Sequence, residues 1–255
     1  MRTITHLFYS DLPSKEHELC IYLPEYTSME VECPVFLYFH GGGLEAGDLS
    51  DIQTAAEYLT SKNIAVVSAN YRMYPEAVYP EYIRDAAAAC GFVKTRLTDY
   101  IRPGRIFVGG TSAGGYISMM LCFDPKYLAP YHLTPMDFAG FVHDAGQPTV
   151  HYNVCRERGL DPRRVVIDEA APIYHIGCSE NYPPMLFIIS DQDMQNRPEQ
   201  TTLAISTLKH FGMDMDKVHL TEMHGTHCHY VNLRDEEGVS VFGKIIAGFI
   251  DRYKG

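Results

Sequence analysis

An α/β architecture, with a mainly parallel, doubly wound sheet flanked by helices, follows from two regularities in this 255-residue chain. Short apolar runs of strand length alternate with longer segments of helical character. That alternation demands crossover connections, which leave successive strands parallel. The run at 35–39, Val-Phe-Leu-Tyr-Phe, is apolar at every position, as a strand covered on both faces must be. With 46% hydrophobic residues and no repeat, low-complexity tract or Gly/Ser/Pro-rich linker, one domain over 1–255 is the simplest organisation.

The expected strands are 19–23, 34–40, 64–70, 105–108, 138–143, 185–190 and 218–222. Between them, 50–61 has a polar start before Ile52, Ala55, Ala56 and Leu59, which repeat at helical spacing. Further helices are expected at 80–97, around the alanines 86–89, and at 113–123, 198–211 and 236–253. Segment 144–178 breaks the rhythm with Gly146-Gln147-Pro148, Arg156-Glu157-Arg158 and Asp161-Pro162-Arg163-Arg164. A connection of that length is functional or carries small elements of its own. It is read as a short cap-like insertion, a lid over the mouth of the site. The alternative is a surface excursion with one or two short helices.

A formal net charge of −11 argues against nucleic acid and anionic membranes as partners, since both reward clustered Lys and Arg. No run reaches transmembrane length, and 1–12 lacks the continuous apolar stretch of a signal peptide. The seven cysteines form no C-x-x-C pair and are odd in number, which fits buried or partly buried free thiols in a reducing compartment. A cytoplasmic location is the expectation.

Gly110-Thr111-Ser112-Ala113-Gly114 spells G-x-S-x-G between a strand-like run and a helix-like one. A serine on a sharp strand-to-helix turn is pushed out of the sheet with its hydroxyl exposed, and small neighbours let the backbone pass close by. The following helix aims its free N–H groups at the same point. Such a serine needs a base, a group to orient that base, and donors for an oxyanion. After the last strand, Glu222-Met223-His224-Gly225-Thr226-His227-Cys228-His229 offers three histidines as base. Asp191 and Asp193 both follow the strand at 185–190 and compete as the acid, Asp191 being equally suited to capping a turn. The N–H of Ala113 and the turn Gly41-Gly42-Gly43, after the buried strand, can supply the donors. A zinc site at His224, His227 and His229 is the competing reading of the histidine cluster. No carboxylate or cysteine pattern accompanies them.

Three segments resemble the α/β-hydrolase superfamily, and within it the hormone-sensitive-lipase-like esterases. They are His40-Gly41-Gly42-Gly43 with Ala46-Gly47-Asp48; Tyr71-Arg72-Met73-Tyr74-Pro75-Glu76 with Tyr79-Pro80 and Asp85; and Gly109-Gly110-Thr111-Ser112-Ala113-Gly114-Gly115. The middle segment departs modestly from the family's usual Tyr-Arg-Leu-Ala-Pro-Glu. The resemblance implies the α/β-hydrolase fold, with Ser112 as nucleophile, Asp193 as acid, His227 as base, and Gly41, Gly42, Gly43 and Ala113 around the oxyanion. Those esterases often carry an N-terminal helical cap, which this chain is expected to lack, leaving 144–178 to cover the site. Gly146-Gln147-Pro148-Thr149 and Asp168-Glu169-Ala170-Ala171-Pro172 also look like small bacterial feruloyl- and acetylxylan-type esterases.

These readings converge on a serine carboxylic-ester hydrolase for short acyl or small aromatic esters, working through an acyl-enzyme with no cofactor and no metal. Its partner is a small-molecule ester. Subunit number is left open, a homodimer included. Two rivals share the fold. A prolyl-oligopeptidase-type aminopeptidase or acylpeptide hydrolase would append a gating domain, for which no residues are left over. A non-catalytic hydrolase-fold binding protein would typically lack part of the triad.

Overall fold

The computed structural model describes residues 1–11, 13–25 and 30–255. Eight strands form one sheet in the order β1-β2-β4-β3-β5-β6-β7-β8. They are β1 (Arg2–Phe8), β2 (Glu18–Leu23), β3 (Glu32–Phe39), β4 (Ala65–Ala69), β5 (Arg102–Thr111), β6 (Gly140–Asp144), β7 (Met185–Gln192) and β8 (Val218–Thr226). From β4 across to β8 every pairing is parallel; β1 and β2 add an antiparallel edge. The α/β class with a mainly parallel, doubly wound sheet is therefore observed.

Among the described residues there are six α-helices: α1 (Gln53–Ser61), α2 (Glu81–Arg96), α3 (Ala113–Phe123), α4 (Tyr152–Glu157), α5 (Arg197–His210) and α6 (Val241–Tyr253). Successive side chains of β3 point to opposite faces and enter different cores. Val35, Leu37 and Phe39 pack with Ala86, Tyr116 and Leu208, so α2, α3 and α5 cover that face. Phe36 and Tyr38 pack with Leu59, Phe242 and Ile246, so α1 and α6 cover the other. This two-sided burial is why β3 reads as continuously apolar rather than alternating.

Several boundaries differ from expectation for identifiable reasons. β1 was not anticipated, because it is an edge strand whose residues are mostly exposed and which therefore carries little apolar pattern. The helix expected at 236–253 starts at Val241. Asp235, Glu237 and Gly238 are consumed by a turn, and the Ser240 hydroxyl caps the helix by accepting from the Gly243 N–H. Segment 144–178 holds α4 and a 3-10 turn at Pro172–His175. Residues 144–151 are all buried, so its first part is packed core rather than a loose flap. The seven cysteines are free; Cys178 departs from the expected burial by being exposed.

The turn between β5 and α3 depends on two glycines. A Cβ on Gly114 would sit 2.0 Å from the Phe39 carbonyl oxygen, and one on Gly110 would sit 2.5 Å from the Gly114 carbonyl carbon. Gly248, on the exposed side of α6, has nothing within 4 Å of a Cβ. We expect Gly114→Ala to lower stability by about 1–3 kcal/mol through overpacking against backbone. Gly248→Ala should raise it by up to about 1 kcal/mol through helix propensity. Thermal unfolding of the two variants checks the contrast.

Candidate active site

The functional side chains gather at the C-terminal ends of the parallel strands, where open α/β sheets place their ligands. Strand register brings them there. Phe39 of β3 pairs with Gly110 of β5, so His40-Gly41 and Thr111-Ser112 leave the sheet side by side. Gln192 of β7 pairs with Thr226 of β8, so Asp193 and His227 also emerge as neighbours. The Ser190 hydroxyl reinforces that edge by donating to the Thr226 carbonyl at 3.1 Å.

Ser112 has φ 55° and ψ −108°, outside the ordinary regions for a residue with a Cβ. Holding it there costs about 1–3 kcal/mol, which the surrounding close packing sustains. Its N–H donates to the Asp144 carbonyl at 2.7 Å. Its Oγ lies 2.8 Å from Nε2 of His227, whose Nδ1 lies 2.5 Å from Oδ1 of Asp193. With Nδ1 protonated against the carboxylate, Nε2 is free to accept the Ser112 hydroxyl proton. The Asp193 side chain is fully buried. Burial alone pushes its carboxyl up, but the hydrogen bond and charge of His227, the Met194 N–H and the Arg197 charge together bring it below the ordinary aspartate value.

The competing candidates sit elsewhere. Asp191 and His224 pair with each other at 2.6 Å at the surface, with the His224 side chain 85% exposed. The His229 ring lies over Gly225. The three histidines thus have three different settings. Among the described residues there is no group of three or more His, Cys, Asp or Glu arranged to hold a metal ion.

The glycine turn lies against the serine: a Cβ on Gly41 would be 3.4 Å from the Ser112 Cβ. Gly42, at φ 101°, closes a tight turn in which its carbonyl accepts from the N–H groups of Glu45 and Ala46. Gly43 is held by Asn153, whose side-chain amide donates to its carbonyl. Ala113 opens α3, so its N–H has no acceptor within the helix and faces the same region with the positive end of the helix dipole. Segment 71–85 backs the turn. The Tyr71 hydroxyl donates to the His40 carbonyl at 2.9 Å, and its ring stacks on His40 at 4.4 Å. Arg72 is locked by two side-chain hydrogen bonds to Asp85, at 2.8 and 2.7 Å.

Sequence reasoning missed Asp144, a carboxyl buried directly under the turn. It accepts from the Thr111 hydroxyl at 2.7 Å and from the Tyr230 hydroxyl. Burial dominates and pushes it up to about 7, against those two hydrogen bonds and the His227 charge; the Asp193 charge adds to the rise. Its position at the end of a strand beside the serine strand was the one available signal. Arg197, also missed, is buried and donates to the Ala145 carbonyl and to Gln147.

Fold and site geometry together define an α/β-hydrolase-fold protein, with a serine, a histidine and an aspartate hydrogen-bonded in sequence beside a glycine turn. Comparison with known proteins agrees on the fold and adds relatives. Residues 36–133 match a family model described as the α/β hydrolase fold. The esterase LipI of Mycobacterium tuberculosis is 41% identical over 103 residues, covering 40% of this chain and 32% of that protein. The carboxylesterase NlhH of the same organism is 34% identical over 122 residues, covering 47% of this chain and 36% of that protein. The chain thus spans only about a third of the length of these curated relatives. The propionate-bound structure of a thermophilic esterase from Thermogutta terrifontis superposes with a TM-score of 0.78 at 18% identity, covering 98% of this chain and 94% of that one. The chain is an α/β-hydrolase-fold protein similar to hormone-sensitive-lipase-like esterases. No helix among the described residues is long and apolar enough to cross a membrane.

The Asp144 carboxyl carries a proton up to about pH 7 in the folded state, whereas an unfolded aspartate releases it near about 4. Between those values the folded state binds more protons, so stability falls as pH rises across the window and levels off above it. We expect the Asp144→Asn variant to lose most of that decline, which amounts to at most about 1.4 kcal/mol per pH unit. Denaturant unfolding at several pH values from 4 to 8 measures it.

Proposed function

We propose that the chain is a carboxylic-ester hydrolase for short acyl or small aromatic esters. Ser112 acts as nucleophile, His227 as general base and acid, and Asp193 as the group that orients His227. The observation that carries this reading is the continuous hydrogen-bonded path Ser112–His227–Asp193, at 2.8 and 2.5 Å, ending on a serine in strained backbone conformation. The names of the relatives support it.

Ser112 attacks the ester carbonyl as His227 Nε2 takes its proton. The Ala113 N–H and the Gly41–Gly43 turn stabilise the oxyanion; a donor of this kind is typically worth about 3–4 kcal/mol in the transition state. His227 then protonates the departing alcohol and activates the water that releases the acid. Because Asp193 is held below the ordinary aspartate value, its carboxylate is still charged to steady the imidazolium in mildly acidic solution. A single domain over 1–255, with the part of 144–178 beyond its buried first residues covering the site, completes the proposal.

Ser112→Ala is expected to reduce hydrolysis of para-nitrophenyl acetate by about a thousandfold or more while leaving circular dichroism and melting behaviour intact. Undiminished turnover by the folded variant removes Ser112 from the mechanism. His227→Ala should be about as damaging, whereas His224→Ala, which breaks only the surface pair with Asp191, should stay within about twofold of the parent. The reverse ranking would reassign the base.

A further inference from the structure

A cavity of about 260 Å³ lies next to the proposed site, between residues 147–165 of the insertion and the start of α5. Tyr152 forms one wall, and its hydroxyl stands 2.4 Å from where a Cβ on Gly43 would lie. Met194 also lines it and donates its N–H to Asp193 at 2.6 Å. In a chain of net charge −11, this cavity is lined by Arg156, Arg163, Arg164 and Arg197, and by no aspartate or glutamate.

Two of those charges are answered from outside the cavity. Arg156 pairs with Glu45 at 3.0 Å and Arg163 with Asp161 at 2.6 Å. The other two have no carboxylate within 4.0 Å among the described residues. Arg164 is exposed on the rim. Arg197 is only 3% exposed, and its hydrogen-bond acceptors are the Ala145 carbonyl, the Gln147 side-chain oxygen and the Met194 sulfur. Neutral acceptors do not offset the desolvation of a buried guanidinium; the Asp193 charge, beyond ion-pair distance, offsets part of it, and an anion in direct contact would offset more. Arginine is also the side chain whose planar donor fork matches a carboxylate.

We propose that this cavity binds a carboxylate carried by the ester substrate, held between Arg197 and Arg164. The inference rests on the ester-hydrolase reading and narrows it: the substrate is an ester with a free acid group in its acyl or its alcohol half.

Two substrate pairs test this. Para-nitrophenyl hydrogen succinate is compared with para-nitrophenyl levulinate, which replaces the acyl-side carboxylate by a neutral ketone. Para-acetoxybenzoate is compared with para-acetoxyacetophenone, which does the same on the alcohol side. The expected result is a kcat/KM preference of about tenfold or more for the acid member of one pair, and which pair shows it identifies the side. Arg164→Gln should bring that ratio down toward one, and Arg197→Gln should do the same wherever that variant remains folded. Equal turnover of both members in both pairs overturns the anion pocket and leaves ester hydrolysis standing. Loss of turnover on all four esters counts against the hydrolase reading instead. The pocket is then read without chemistry, by calorimetric titration of the Ser112→Ala protein. Succinate-ester binding weakened about tenfold by adding Arg164→Gln upholds it, and equal binding of the levulinate overturns it.

Discussion

The close approach of the β5–α3 turn to the end of β3 is the constraint on which the site depends. Gly110 and Gly114 let two backbones pass with no room for a side chain between them. That contact holds Ser112 at positive φ and lays the glycine turn alongside it. The strain at one residue is sustained by buried strands on either side, so the hydroxyl is presented before any ligand arrives. Preorganisation of this kind lets donors stabilise developing charge without reorganising.

Around that point the supports are layered. The stacked Tyr71–His40 pair and the Arg72–Asp85 lock hold the glycine turn from behind. Asn153 holds it from the insertion side. The proposed base and acid leave from the ends of two adjacent strands, β8 and β7. Each support involves a residue far in sequence from the one it steadies.

This separation explains what could be read in advance. The parallel sheet was legible because strands buried on both faces are apolar throughout, and the serine turn because steric demand leaves a local signature of small residues. Gly41, Gly42, Gly43 and Ala113 were legible for the same reason. The histidine and aspartate were legible only as clusters, because two Asp–His pairs form at the ends of the same two strands, and chemistry alone does not separate 191 with 224 from 193 with 227. The resemblance to esterases singled out the pair that reaches Ser112. Asp144 and Arg197 were not legible. A lone acidic or basic residue at the end of a strand or the start of a helix carries no pattern, and their significance comes from burial that only the folded chain creates. β1 escaped notice because an exposed edge strand has little apolar signal.

The proposed acid and base share one side of the sheet, while the serine stands on β5 with β6 in between. Asp144, at the tip of β6, spans that gap through Thr111 on one flank and Tyr230 on the other. The imidazole–carboxylate contact is thus local to one pair of strands, whereas the hydroxyl–imidazole contact is measured across an intervening strand. Any shear or loss of twist in the sheet would widen the gap between the Ser112 hydroxyl and the His227 ring. In that sense the residue is a keystone: its carboxyl bridges the two flanks while its backbone carbonyl holds the Ser112 N–H.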